Sequence, residues 1–124
     1  MTTVAELGAE SVLSLVTYKK DGTPVATPLW VAPDDDTLVL WTVAASWKVK
    51  RIRRNPEVTV TPCTARGKLT GETVTGRAEI MPATESARVR DLIKKKYGLM
   101  GRLTVWLSVL RRGADGTLGI RVSI

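Results

Sequence analysis

The strongest constraint in this chain is a basic, proline-terminated stretch, Thr42 to Pro56, set between two runs built for β-strands. Ahead of it lies Thr37-Leu38-Val39-Leu40-Trp41-Thr42. Behind it, Glu57-Val58-Thr59-Val60-Thr61 alternates valine with polar residues, the period of a strand with one buried face. Between them the pattern predicts a short helix that begins at a strand end near Ser46. It stops at Asn55-Pro56, because proline disfavours helical geometry in the residue before it. Unpaired backbone N–H groups and the positive end of a dipole then lie beside the sheet, with Ser46, Lys48 and Arg51 adding a hydroxyl and two cations. Five of the seven residues from Lys48 to Arg54 are basic. Such a stretch suits a phosphate, and it equally suits a solvated charged face, the usual fate of a lysine and arginine run. The flanking Thr42 and Ser46 hydroxyls favour the anion.

The remaining runs set the fold class. Val12 to Tyr18 and Val25 to Ala32 are joined by Lys20-Asp21-Gly22-Thr23, a hairpin turn signal. Pro28 inside the second run lacks a ladder donor, so that strand is expected at an edge, with a bulge, or with backbone open to a ligand. Asp34-Asp35-Asp36 turns the chain into Thr37–Thr42; it lacks calcium-site spacing. After Glu57–Thr61, a loop from Cys63 to Gly71 leads to a fifth strand, Glu72 to Ile80, and Thr117 to Ile124 forms a sixth after an Asp115-Gly116 turn. Between those two, Thr84 is expected to cap a helix with an apolar stripe of Val89, Leu92, Ile93 and Tyr97. Gly98 breaks it, and Leu99, Leu103, Trp106, Leu107 and Leu110 form a second stripe ended by Gly113. This order predicts a mainly β (α+β) chain: an antiparallel barrel of about six strands, a short basic helix and a C-terminal helix pair, in one domain spanning residues 1–124. Exposed barrel edges and a large apolar helix pair make a homodimer the expected assembly.

Composition removes whole classes of chemistry. The chain has no histidine, so Ser-His and Cys-His catalysis and the commonest transition-metal ligand are gone. The lone Cys63 forms no internal disulfide, and Met1 to Gly8 lacks the pattern of a signal peptide; a cytoplasmic location is expected. Leu103 to Leu110 is far shorter than the ~20 residues of a membrane-spanning helix, so no membrane insertion is expected. The net charge of +7 attracts nucleic acid, anionic lipid or an anionic small molecule, and by itself does not choose.

The run from Gly22 to Pro56 narrows the choice. With Thr27-Pro28-Leu29-Trp30 on strand two, Leu40-Trp41-Thr42 on strand three, Ser46-Trp47-Lys48 opening the helix and Arg54-Asn55-Pro56 closing it, it resembles the pyridoxamine 5′-phosphate oxidase-like split β-barrel flavoproteins. Thr61-Pro62-Cys63-Thr64-Ala65-Arg66-Gly67-Lys68, Gly71 and Gly76-Arg77-Ala78 look like the deazaflavin (coenzyme F420)-dependent oxidoreductase subgroup; the likeness covers residues 11 to 124. The resemblance implies a homodimer with a cofactor between subunits. By position, Thr27, Pro28 and Leu29 would line the ring, while Thr42, Ser46, Trp47 and Lys48 would surround the phosphate. Arg51 and Arg54 would meet the acidic glutamyl tail of F420, which suits bidentate guanidinium contacts. Trp41 and Cys63 complete the expected cofactor set, although Cys63 also reads as a small buried hydrophobe and Trp30 and Trp41 as core. Pyridoxamine phosphate oxidases proper carry a C-terminal substrate-binding region; this chain stops at Ile124, so a different substrate is expected.

The implied activity is hydride transfer from reduced F420 to a conjugated or electron-poor small molecule, with no catalytic side chain and no metal required. FMN is the alternative cofactor. The competing functions are a non-catalytic flavin or haem carrier and a nucleic-acid binder using Lys48 to Arg54.

Overall fold

Six antiparallel strands close into a barrel in the order β1-β2-β3-β6-β5-β4. They are β1 (Val12–Tyr18), β2 (Pro24–Asp34), β3 (Thr37–Val43), β4 (Glu57–Pro62), β5 (Val74–Ile80) and β6 (Thr117–Ser123). The structure is a computed structural model and describes residues 3–113 and 116–124. Strand bounds match the periodicity to within a residue or two; the fifth strand starts at Val74 rather than Glu72. Asp115 of the anticipated turn lies outside the described residues. A short helix that the sequence reading did not include, α1 (Val4–Gly8), packs Leu7 into the core, with the Thr3 hydroxyl accepting from the Glu6 N–H.

β2 changes partner along its length, and that change makes the barrel split. From Pro24 to Trp30 it pairs with β1, Trp30 lying opposite Val12 and Pro28 opposite Ser14. From Val31 to Asp34 it pairs with β3, beginning at Val31 opposite Leu40. Beyond that point Trp41, Thr42 and Val43 of β3 pair only with Gly119, Leu118 and Thr117 of β6. The two strands diverge and leave a cleft between β2 and β3, and Pro28 sits on the diverging stretch, where the side of β2 away from β1 asks for no ladder donor.

Inward residues of every strand fill the core, among them Leu13, Leu15, Leu38, Leu40, Val58, Val60, Ile120 and Val122. The basic helix α2 (Trp47–Arg54) is held to this core by Val49 and Ile52, one turn apart and both buried. Each contributes roughly 1.5–3 kcal/mol of apolar burial, which lets the flanks carry cations. Asn55 ends the helix in extended geometry, as Asn55-Pro56 predicts, and its Oδ1 accepts from the Glu57 N–H.

The expected helix pair is one assigned element, α3 (Ser86–Arg112), interrupted at Gly98, whose φ of 61° is cheap only for glycine. The expected Thr84 cap is not found: Ala83–Glu85 forms a 3-10 turn, and α3 starts at Ser86 with no side-chain cap at Glu85. Instead the buried Ser86 hydroxyl bonds the Thr117 carbonyl. Of the two apolar stripes, the first packs as expected, with Val89 and Ile93 fully buried. Gly119 makes that approach possible, since a Cβ there would lie 2.7 Å from Val89 Cγ2. The second stripe does not pack: Leu99, Leu103, Trp106, Leu107 and Leu110 are 84, 54, 58, 51 and 65% exposed. Helix geometry turns Gly101, Val105 and Ser108 toward the barrel instead, so Trp106 is a surface residue rather than core.

Candidate functional site

The cleft opened by the β2–β3 divergence holds a cavity of about 390 Å³ lined by Leu29, Trp41, Thr42, Val43, Lys48, Thr104, Leu107, Ser108, Arg111 and Thr117. Five elements build it, β6 contributing Thr117. β2 and β3 supply Leu29 and Trp41–Val43, the first turn of α2 supplies Lys48, and the second half of α3 closes the far side.

Two polar atoms of its lining, and a third on Ser46 at the start of α2, are buried without partners. Trp41 Nε1, Thr42 Oγ1 and Ser46 Oγ are out of contact with water and make no hydrogen bond among the described residues. A buried donor or acceptor left unpaired costs on the order of 1–3 kcal/mol, so a cluster of three is retained only where something repays it. Ser46 occupies the N-cap of α2 without capping it. Its hydroxyl and the helix's first N–H groups thus remain available to one ligand. Lys48 is half-buried beside them, and among the described residues no carboxylate forms a salt bridge with it. Burial, reinforced by Arg51, pushes its ammonium below the usual lysine range. A desolvated cation, two hydroxyls, an indole N–H and an apolar wall of Leu29, Leu107 and Trp41 together suit a planar ligand with an anionic, oxygen-rich end.

The expected site residues fall into separate places. Leu29, Trp41, Thr42 and Lys48 converge on the cavity; Ser46, at the start of the same helix turn as Lys48, is not part of its lining. Thr27 and Pro28 lie on the diverging stretch of β2, half-buried and exposed respectively. Trp47, 69% exposed, points elsewhere and carries Lys50 Nζ 4.4 Å over its ring. With Lys19, Lys20, Lys50, Arg51 and Arg54 it lines a second, shallow groove. Arg54 also ties α2 to the end of β1, donating to the Tyr18 carbonyl at 2.9 Å. Cys63 is buried just past β4, in a bridge with Leu69, and lines neither the cavity nor that groove; burial raises its thiol pKa.

Thr104, Ser108 and Arg111 escaped the sequence reading. Their spacing of four and three residues, polar positions inside an otherwise leucine-rich helix, was the available signal: it marks one helical face. Trp30 approaches the site indirectly, its ring centroid 6.3 Å from that of Trp41.

The family model for pyridoxamine 5′-phosphate oxidase matches residues 2–111. No curated protein matches the chain by sequence. Among solved structures, an F420 reductase is similar at 20% identity and a TM-score of 0.69, covering 99% of this chain and 93% of its own. A FAD-binding protein from Mesorhizobium loti is similar at 24% identity and a TM-score of 0.63, covering 95% and 83%. The haem storage protein HutZ from Vibrio cholerae is similar at 11% identity and a TM-score of 0.65, covering 92% and 81%. At these identities the likeness is one of fold.

Proposed function

Because the chain belongs to the pyridoxamine 5′-phosphate oxidase family, we propose that it is an oxidoreductase that uses reduced coenzyme F420 to transfer hydride to a conjugated, electron-poor small molecule. The observation that carries the reading is the pair of unpartnered atoms lining the cleft, Trp41 Nε1 and Thr42 Oγ1, beside a half-buried Lys48 with no salt-bridge partner among the described residues, the unpartnered Ser46 Oγ standing at the start of the same helix turn. These groups would hold the phosphate end of a flavin-type cofactor, and Leu29 and Trp41 would flank its ring.

When bound, the reduced deazaflavin supplies the hydride. The chain's own part is to orient, to exclude water through the Leu29, Leu107 and Trp41 wall, and to offer positive charge where the ligand is negative. F420 is favoured over FMN by the second groove, where Lys50, Arg51 and Arg54 of the helix that carries Lys48 meet Lys19 and Lys20 of the turn after β1. Such a row suits the acidic tail that FMN lacks. Haem is disfavoured by the absence of histidine, and no cysteine, methionine or tyrosine lines the cavity.

A second copy of the chain is part of the same reading. The exposed ridge of Leu99, Leu103, Trp106, Leu107 and Leu110 adjoins the cavity through Leu107, and a like subunit seated there would cover apolar surface and narrow the cleft mouth. Single-turnover oxidation of reduced F420 by an enone or quinone, with and without the protein, tests the activity. Protein-dependent oxidation supports the reading. A protein that binds F420 or FMN without accelerating oxidation is a carrier, and salt-sensitive binding of duplex DNA with no response to either cofactor would overturn both.

A further inference from the structure

Val31 is the residue at which β2 leaves β1 and joins β3: the last β1 pair is Val12 with Trp30, and the first β3 pair is Val31 with Leu40. Past Val12, β1 offers the Val31 peptide no further ladder partner, and two consecutive side chains of α3 take its place. The Val31 N–H donates to Tyr97 Oη at 3.1 Å, and the Val31 carbonyl accepts from Lys96 Nζ at 2.6 Å, with Tyr97 Oη 3.1 Å away. The same two side chains reach the segment before β1. Tyr97 Oη donates to the Ser11 carbonyl at 2.6 Å, and Lys96 Nζ donates to the carbonyls of Gly8, at 2.8 Å, and Glu10. An ammonium has three N–H donors, and here each meets a backbone carbonyl.

We propose that Lys96 and Tyr97 are positioning residues that set the gape between β2 and β3, and so the width of the cleft, by fixing the Val31 peptide where β2 changes partner. A chain of packed rings carries this setting to the cavity. Tyr97 stacks on Trp30 with centroids 4.2 Å apart and planes at 14°, and Trp30 lies 6.3 Å from Trp41, whose indole lines the cleft. Leu29, the other wall, is two residues from the clamped peptide. Beyond Val31 and Leu40 the two strands share no ladder with each other, β2 pairing with β1 and β3 with β6, so a peptide anchored at the fork fixes where they begin to diverge. The clamp itself is independent of the cofactor; its consequence for binding rests on the function proposed above.

Tyr97→Phe keeps the stacked ring and removes only the hydroxyl. Amide exchange followed by NMR is expected to quicken at Val31 and Trp30 by roughly tenfold, the loss of about one hydrogen bond's worth of protection. Val60 and Ala78, on the far strands, are expected to keep wild-type rates, and the Trp41 indole N–H resonance is expected to move. Lys96→Met is expected to repeat this pattern in excess of any change at Val60 and Ala78, and where it fails to fold, Tyr97→Phe decides alone. In a wild type that binds F420, Tyr97→Phe is expected to weaken binding by roughly fivefold. Unchanged exchange at Val31, an equal rise everywhere, a still Trp41 resonance, or an affinity that ignores the exchange change would each overturn the proposal. If the wild type binds neither F420 nor FMN, the functional reading fails on its own, and the exchange pattern together with the Trp41 resonance still decides the clamp.

Discussion

Lys48 and Lys96 are both half-buried, and burial lowers the pKa of each, yet their surroundings are opposite. Lys96 sits on the seam between β2 and α3, with each ammonium hydrogen on a backbone carbonyl. Lys48 sits at the mouth of the cleft beside two unpaired hydroxyls and a like charge, Arg51. A buried cation whose partners lie in the same chain serves the fold. One whose neighbours are themselves unsatisfied carries a cost that a ligand can repay. The contrast places a structural role at the seam and the proposed binding role at the cleft.

The largest effect should come from breaking the satisfied side. Lys96→Met leaves the Gly8, Glu10 and Val31 carbonyls short of donors and is expected to cost about 3 kcal/mol, lowering the thermal midpoint by roughly 10 °C; calorimetry against wild type checks it. If Lys96→Met melts with wild type, the seam is not structural and the comparison fails. Next, Leu103→Asp puts a charge on the exposed α3 ridge without touching the core. It is expected to weaken self-association by roughly a hundredfold, which light scattering across a dilution series reads. A mass that does not change with this substitution would remove the second copy from the account.

The smallest effect is a slope. Lys96 titrates at about 8 in the folded chain against an ordinary 10.5. Between those pH values the unfolded chain holds more protons at this group, so its contribution makes stability rise with pH across that window and leaves stability flat below it. Denaturant midpoints from pH 7 to 10 for wild type and Lys96→Met should diverge in slope there, and parallel curves would show that the group is not desolvated.

How far the sequence discloses this division depends on the range of the interactions. The barrel strands and the Asn55-Pro56 stop are local patterns and fall where periodicity and proline place them. The positions of Thr42 at the end of β3 and of Ser46 and Lys48 at the start of α2 were also legible, because a strand end meeting a basic helix is local. The seam was not: Lys96 belongs to a Lys94-Lys95-Lys96 run that reads as a wet face, and its partners lie 65 to 88 residues away. The second leucine stripe misled for the converse reason. Its 3.6-residue period reports an apolar face but not what covers it, and within this chain Leu99, Leu103 and Leu110 meet nothing that buries them. Arg54 shows a third limit. A guanidinium expected at a ligand also holds the Tyr18 carbonyl, a contact set by how α2 lies across β1.

The division stands or falls at Lys48. Wild type and Lys48→Ala should be titrated with F420 under identical salt, with thermal midpoints recorded on the same samples. The account predicts a saturable wild-type curve and an affinity loss of roughly 10- to 100-fold in the variant, the worth of one charge-assisted hydrogen bond. It also predicts a midpoint in the ligand-free variant no lower than wild type, since removing an unpartnered cation takes nothing from the fold. Equal affinities, or a variant that loses stability instead of binding, would contradict it.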